Sequence, residues 1–219
     1  MRDLVLWGAT GQAKVLAEFA ERAGYRVVAL IDRDPAVSPP LPDIPLYVGQ
    51  DGFECFMRRR GSGPLWGLAA IGGMRGRDRV EIHGLFESRG ITIPTLVHPE
   101  AYVARSARLG VGAQILARAV VGVDAEIGPA TIVNTAATID HDCRIGRGVH
   151  IAPGATVAGA VTVGDLSFIG PGAVLVARVR IGAESRIGAG SVVTRDMPDR
   201  VLAYGVPARI RATNGPASP

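Results

Sequence analysis

A period of six runs through the second half of the sequence. Reading every sixth residue from Val97 gives Val97, Val103, Leu109, Ile115 and so on without a break to Ile187 and Val193. All are branched aliphatics. Val, Ile and Leu make up about a quarter of the chain, so agreement at every position by chance is on the order of one in ten billion before choice of phase. Two residues before each aliphatic stands a mostly small side chain, among them Ala101, Ala113, Ala125, Thr131, Ala137, Cys143 and Ala155. Strand side chains alternate with period two, so both positions of each hexad point inward from one short strand and the other residues turn a corner. Three such strands close a triangular coil. The hexads from 97 to 193 therefore predict a parallel β-helix of five to six coils, roughly 25 to 30 Å tall at about 4.7 Å per coil. Glycine often follows the aliphatic, as at Gly110, Gly128, Gly146 and Gly164; the expectation is that it permits corner backbone that a side chain would hinder.

Before the repeat the pattern changes. Residues 4–7 read as a buried strand, Gly8-Ala9-Thr10-Gly11-Gln12 as a turn, 12–23 as a helix and 25–31 as a second strand ending at Asp32. Further helices are predicted over 52–60 and 75–89 and strands near 64–71 and 91–96, with a proline-rich loop from Pro35 to Pro45. This is a small Rossmann-like βαβ domain. The domains expected are 1–96, the β-helix over 97–198, and a C-terminal turn and tail over 199–219, so the fold class is α/β plus all-β.

A glycine turn between strand and helix offers backbone amides and a positive helix end to phosphate. A complete G-x-G-x-x-G is absent, because Thr10 and Ala13 stand where later glycines would, and Asp32 reads either as a ribose or base contact or as an ordinary strand-ending Asp. A second glycine cluster, Ile71-Gly72-Gly73, follows another predicted strand and should lie beside the first turn. The net charge of +4 comes almost wholly from arginine and does not cluster, and 5% aromatic content leaves little for base stacking, so nucleic acid is not an expected partner. No signal-like leader and no apolar run of membrane-spanning length is visible. The expectation is a soluble cytoplasmic protein.

Four histidines carry the candidate chemistry. His83 falls in a predicted surface helix and His98 at the domain junction, where structural roles suffice. His150 precedes inward Ile151 and should point out of a strand face. Ile139 points inward, so His141 and Asp142 fall on a corner where neighbours can project together, one coil above Val123 and one below Gly159, which should leave open space beside the imidazole. A corner His beside a carboxylate suits a general base, since the carboxylate orients the ring and stabilises the imidazolium; a solvated corner His is the alternative. Zinc is not expected, because His141 and His150 lack a third ligand. Cys143 occupies an inward position and reads as an inert core thiol.

The assembled pieces are Gly8-Ala9-Thr10-Gly11-Gln12-Ala13-Lys14-Val15, Asp32, Ile71-Gly72-Gly73, Val97-His98-Pro99, Asn134 through Asp142, His150 and Gly205-Val206-Pro207-Ala208-Arg209. Together they resemble the sugar acetyltransferases that join a nucleotide-binding N-terminal domain to a left-handed parallel β-helix of hexapeptide repeats, a family that includes acetyltransferases of nucleotide-linked 4-amino sugars and of sialic acid. The resemblance spans nearly the whole chain and is greatest to members acting on a GDP-linked 4-amino deoxysugar. It implies the left-handed winding, a homotrimer, and acetyl-CoA as co-substrate in the groove between two prisms, with no metal. It also implies His141 as general base with Asp142 raising its basicity. The nucleotide sugar would meet Thr10, Gly11, Gln12, Asp32, Arg33, Gly72, Gly73 and Asn134, and acetyl-CoA would meet His150, Gly159, Pro171, Ala189 and Pro207. Two departures stand out: Gln12 replaces a frequent His, and Gly73-Met74 replaces an Asn-containing stretch. The same residues also accommodate acetylation of a sugar hydroxyl, a UDP-linked amino sugar, or a trimeric scaffold or binding module without chemistry.

Overall fold

The computed structural model describes residues 1–213, so the end of the expected tail, 214–219, lies outside the described residues. The N-terminal part is a four-stranded parallel sheet in the order β3-β2-β1-β4, made by β1 (Arg2–Trp7), β2 (Tyr25–Asp32), β3 (Leu46–Val48) and β4 (Trp66–Ala69). Helices α1 (Gly11–Ala20), α2 (Gly49–Arg59) and α3 (Gly76–Ser88) connect them or follow the last. The central strand β1 reads Leu4-Val5-Leu6-Trp7 without polar interruption because both faces are covered: Leu4 and Leu6 pack with Leu16 and Phe19 of α1, Val5 and Trp7 with Phe53 and Phe86 of the other two helices. Helix α2 carries Asp51 in its first turn and Arg58 and Arg59 in its last, matching the helix dipole.

From Leu96 onward the chain winds into a three-faced prism of seventeen two-residue strands, from Leu96–Val97 to Val192–Val193, each pairing in parallel with the strand eighteen residues away, as Ile132 does with His150. It is the left-handed β-helix. The aliphatic and small positions together form one continuous core, including Ile115, Ile139, Cys143, Ile151 and Val163. A hairpin of Val201–Gly205 and Ala208–Thr213 closes the far end, extending one face of the prism. Among the described residues no helix is long and apolar enough to cross a membrane.

Several expectations need correction. From Leu109 to Ile187 the corner residue with left-handed backbone is the third after the aliphatic, not the glycine that follows it directly: Arg118, Asp124, Ala130, Ala136 and Asp142 all have φ of 55–59°. The glycines serve a different need. A Cβ on Gly128 would stand 2.5 Å from the carbonyl carbon of Gly146, and one on Gly164 2.5 Å from the Ala183 nitrogen, so each is required by the stacking distance between coils. The stretch 91–96 is not a strand of the N-terminal sheet; Thr92 makes a single bridge to Trp66, Pro94 has no N–H to donate, and Leu96 already belongs to the prism. Conversely β3 emerges from the end of the proline-rich segment by pairing with β2.

The two parts are packed on one another. One prism face turns Leu96, Gln114, Ile132 and His150 outward from its core, yet all four are buried, because the N-terminal part covers them. Gln114 donates to the Ala69 carbonyl (2.8 Å) and accepts from the Gln12 amide (2.7 Å), tying the tip of β4 and the start of α1 to the prism. His83 is buried at this junction rather than on the surface: its Nε2 accepts the Ala69 N–H at 3.2 Å, and the ring lies against Gly112, where a Cβ would come within 2.6 Å of Nδ1.

Candidate active site

The ends of β1, β2 and β4 open into a cavity of about 510 Å³ where the N-terminal part meets the prism. Thr10, Gly11, Gln12, Asp32, Arg33, Gly72, Gly73, Asn134 and His150 all line it, so every residue expected on the nucleotide-sugar side is gathered here, and His150 with them. The two glycine turns lie side by side as anticipated. Gly8 has φ +114°, and a Cβ there would come within 2.8 Å of the Ala70 carbonyl carbon, so the first turn can approach the second only as glycine. Asp32 ties the floor together, accepting the Ala9 N–H on Oδ2 (2.7 Å) and the Asp34 N–H on Oδ1 (3.0 Å). Helix α1 opens onto the cavity with no acidic residue in its first turn and no side-chain cap from Thr10, which leaves its N-terminal amides for an anion.

Several contributors were missed by the sequence, Asp34 and Ala70 among them. Arg75 lines the cavity beside Arg33, paired with Asp78; its only signal is its place two residues after Gly73. Trp7 and Val37 supply apolar wall, and nothing in their local sequence separates them from core or loop residues.

On the prism side of the cavity, Asn134 and His150 form a defined pair. The Gly73 carbonyl accepts from His150 Nδ1 at 2.9 Å, so that nitrogen carries the proton; Nε2 then accepts from Asn134 Nδ2 at 2.9 Å, while Asn134 Oδ1 accepts the Thr135 N–H at 2.7 Å. Burial, opposed by the Gly73 hydrogen bond and reinforced by the charge of Arg79, lowers the His150 pKa to about 4, so the ring is neutral. Its outward direction from the strand is as expected, but it faces the N-terminal part rather than solvent.

His141 stands elsewhere. It occupies the next corner of the same coil, one face away from Asn134, and is not part of this cavity. Seven residues of extended chain span at most about 25 Å, which bounds that separation. Its Nδ1 lies 2.7 Å from Asp142 Oδ2, and hydrogen bonding to Asp142 first, then the charge of Asp140, raises its pKa above the ordinary value. The imidazole lies over Gly159 in the room that the missing side chain leaves, since a Cβ there would stand 2.5 Å from Nε2, and more than half of the His141 side chain is exposed. With Nδ1 facing a carboxylate, Nε2 is the nitrogen with a free lone pair.

The remaining expected contacts divide between the same two corners. Gly159 stacks on His141, whereas Pro171 and Ala189 continue the corner that begins at Thr135, and Pro207 sits in the exposed turn of the closing hairpin. Along that second corner, Gly154, Gly172 and Gly190 repeat at one-coil spacing with nothing within 4 Å of where a Cβ would be. The edge is therefore uncovered at each of these three positions. Among the described residues no group of three His, Cys, Asp or Glu is placed to hold a metal ion.

Comparison with known proteins matches the prism to a family and nearly the whole chain to solved structures. Residues 124–159 and 160–195 each match the family described as bacterial transferase hexapeptide (six repeats). No curated protein matches the chain by sequence. Among solved structures, a mutant of perosamine N-acetyltransferase from Caulobacter crescentus, in complex with CoA and GDP-perosamine, is 37% identical over 97% of this chain and 98% of its own, with a TM-score of 0.87. The acetyltransferase domain of PglB from Neisseria gonorrhoeae FA1090, in complex with acetyl coenzyme A, is 32% identical over 95% and 98%, with a TM-score of 0.83. WeeI from Acinetobacter baumannii AYE shares the fold at 23% identity, 96% and 100% coverage and a TM-score of 0.85. The match runs through the glycine turns as well as the prism, and the chain belongs to the hexapeptide-repeat sugar acetyltransferases.

Proposed function

We propose that this protein transfers the acetyl group of acetyl-CoA to the amino group of a nucleotide-linked 4-amino deoxysugar, with GDP-perosamine the first candidate, and that it works as a homotrimer in the cytoplasm. The observation that carries this reading is the His141–Asp142 corner, where a carboxylate holds Nδ1 and leaves Nε2 as a base of raised pKa. The near full-length similarity to an enzyme solved with CoA and GDP-perosamine supports the choice of substrates.

The sugar nucleotide fits the cavity by charge and shape. Its diphosphate meets the amides of Thr10, Gly11 and Gln12 at the start of α1, with Arg33 near, and Asp32, Gly72 and Gly73 bound the nucleoside. The pantetheine of acetyl-CoA would lie along the edge of Gly154, Gly172 and Gly190, beside Pro171 and Ala189, through backbone groups. His141 and Gly159 are one prism face away, so the base reaches a cavity only when a second copy of the chain presents its corner there. That geometry supports a site shared across the trimer groove.

The chemistry needs no acyl-enzyme. The ammonium gives up two protons on the way to the amide: the first leaves through His141 Nε2 to solvent, the neutral amine nitrogen attacks the thioester carbonyl, and the adduct loses its second N–H proton to His141 Nε2 as the carbon–sulfur bond breaks to release CoA as thiolate and the amide forms. The proton held on His141 then passes to the thiolate. Asn134, whose second Nδ2 hydrogen is free of the pairs described, supplies a donor at the cavity edge.

The test is CoA release with GDP- and UDP-linked 4-amino sugars, together with the mass and alkali stability of the product. One added acetyl that survives mild alkali, with GDP-sugar preferred, is the expected result. Preference for the UDP-sugar redirects the nucleotide, alkali-labile acetylation redirects the reaction to a hydroxyl, and no CoA release from any candidate leaves a binding module.

A further inference from the structure

Arg79 is completely buried, and its guanidinium has no carboxylate among its hydrogen-bond partners. It donates only to backbone carbonyls: Nε to Ala130 (2.9 Å), Nη1 to Ile71 (3.1 Å), and Nη2 to Gly148 (2.8 Å) and Val149 (3.2 Å). A buried guanidinium is costly to desolvate, and a salt bridge is the usual compensation. Here burial lowers its pKa, with the charge of Asp78 opposing, to about 10, so it stays cationic at neutral pH. Its helix is pressed against the prism by Gly76, where a Cβ would overlap the Gly148 carbonyl.

The carbonyls it grips belong to two walls of one small structure. Ile71 begins the loop whose Gly73 carbonyl accepts the Nδ1 proton of His150, and Val149 immediately precedes His150. The Nδ1–H tautomer leaves Nε2 able only to accept, which requires the nitrogen of the Asn134 amide to face it; Thr135 N–H satisfies the amide oxygen. The opposite tautomer would put the Asn134 oxygen on His150 and a second nitrogen against the Thr135 N–H, with both donors unpaired. A loop displaced at Ile71 and Gly73 removes the constraint that selects between the two.

We propose that Arg79 is a positioning residue for acetyl transfer: by fixing the Ile71 and Val149 carbonyls it holds His150 as the Nδ1–H tautomer and thereby presents Asn134 to the cavity as a hydrogen-bond donor. The proposal rests on the functional reading above, since the cavity must be where the reaction occurs for the donor to matter. An ammonium has the charge but not the planar fork that reaches carbonyls on both walls, so Arg79→Lys separates charge from geometry.

The experiment is a double-mutant cycle read as kcat and KM, with long-range ¹⁵N spectra of the His150 ring in the full-length protein. Arg79→Lys should lower kcat about tenfold with KM for the nucleotide sugar within about twofold, and the His150 spectrum should change from one tautomer to a mixture. In an Asn134→Ala background the same substitution should cost less than about twofold, because the group it positions is gone. Equal cost in both backgrounds, or a reduced kcat with the His150 tautomer unchanged, overturns the relay. If Arg79→Lys does not fold, the wild-type spectrum decides, since an Nε2–H tautomer of His150 is incompatible with the proposal. His141→Asn serves as the separate control: turnover persisting in that variant defeats the functional reading, while the ¹⁵N arm still judges the link from Arg79 to His150.

Discussion

His141 and Asp142 are chain neighbours whose side chains meet, with Nδ1 2.7 Å from Oδ2, on a corner that Asp142 turns in left-handed backbone at φ +58°. Adjacent residues on a strand point to opposite faces and cannot form this pair. The corner of the β-helix thus makes the dyad possible.

The dyad sets the acid side of the pH profile. The Asp142 hydrogen bond raises the His141 pKa, so the base is lost as pH falls through a value above 6.5. Asp142→Asn tolerates the left-handed backbone and keeps an acceptor but removes the charge. The acid limb of kcat/KM should move to lower pH and the plateau should fall about tenfold, measured across pH 5–9. An unmoved limb would mean that another group titrates.

Two glycine substitutions should separate catalysis from folding. Gly159→Ala places a Cβ 2.5 Å from His141 Nε2 and 2.7 Å from Cε1, where only an exposed ring must yield. Its kcat should fall more than about tenfold with a thermal midpoint within about 2 °C of wild type. Gly128→Ala meets the Gly146 backbone at 2.5 Å and should destabilise by about 1–3 kcal/mol, seen in urea unfolding.

A shared site predicts complementation. Gly11 lines the cavity and has nothing within 4 Å of a Cβ, so Gly11→Phe should fill the cavity without disturbing the fold. Alone, Gly11→Phe and His141→Asn should each be inactive. Co-expressed, mixed trimers bring an intact cavity from one copy to an intact base from another, and a measurable fraction of wild-type CoA release should return. Its absence would place base and cavity in a single chain.

Acid stability should report on the junction. His83 and His150 both have folded pKa values lowered to about 4, chiefly by burial, against 6.5 when unfolded. The unfolded chain therefore binds more protons between these values, and stability falls as pH drops from about 6.5 towards 4, by on the order of 3 kcal/mol for each ring. His83→Gln removes one titration while keeping an acceptor for the Ala69 N–H. Its denaturant midpoint should depend less on pH over this window than that of wild type; an equal slope would show that His83 takes no part.

The prism was legible because its signal is local and repeated. Ile127, Ile145 and Val163 recur at the spacing of a coil, and each small partner two residues earlier confirms the inward phase. The same phase placed His141 on a corner. It misjudged the glycines, because the stacking of Gly128 on Gly146 is a contact between coils eighteen residues apart, whereas backbone freedom is the reason usually read into a glycine. It also misplaced His83 and understated His150. Their positions outside the prism core or on a helix were read correctly, but burial of an outward face depends on what packs over it.

The sequence by itself thus determined the inward side of every coil, the two glycine turns and the His–Asp corner, all set by backbone periodicity and nearest neighbours. Only the tertiary structure decided that the N-terminal part covers the face of Gln114, Ile132 and His150, that Arg79 bridges the two through backbone carbonyls, and that His141 stands one face away from the cavity it would serve. Those relations join residues tens of positions apart, and no local pattern of side chains encodes which distant surface will exclude water from them.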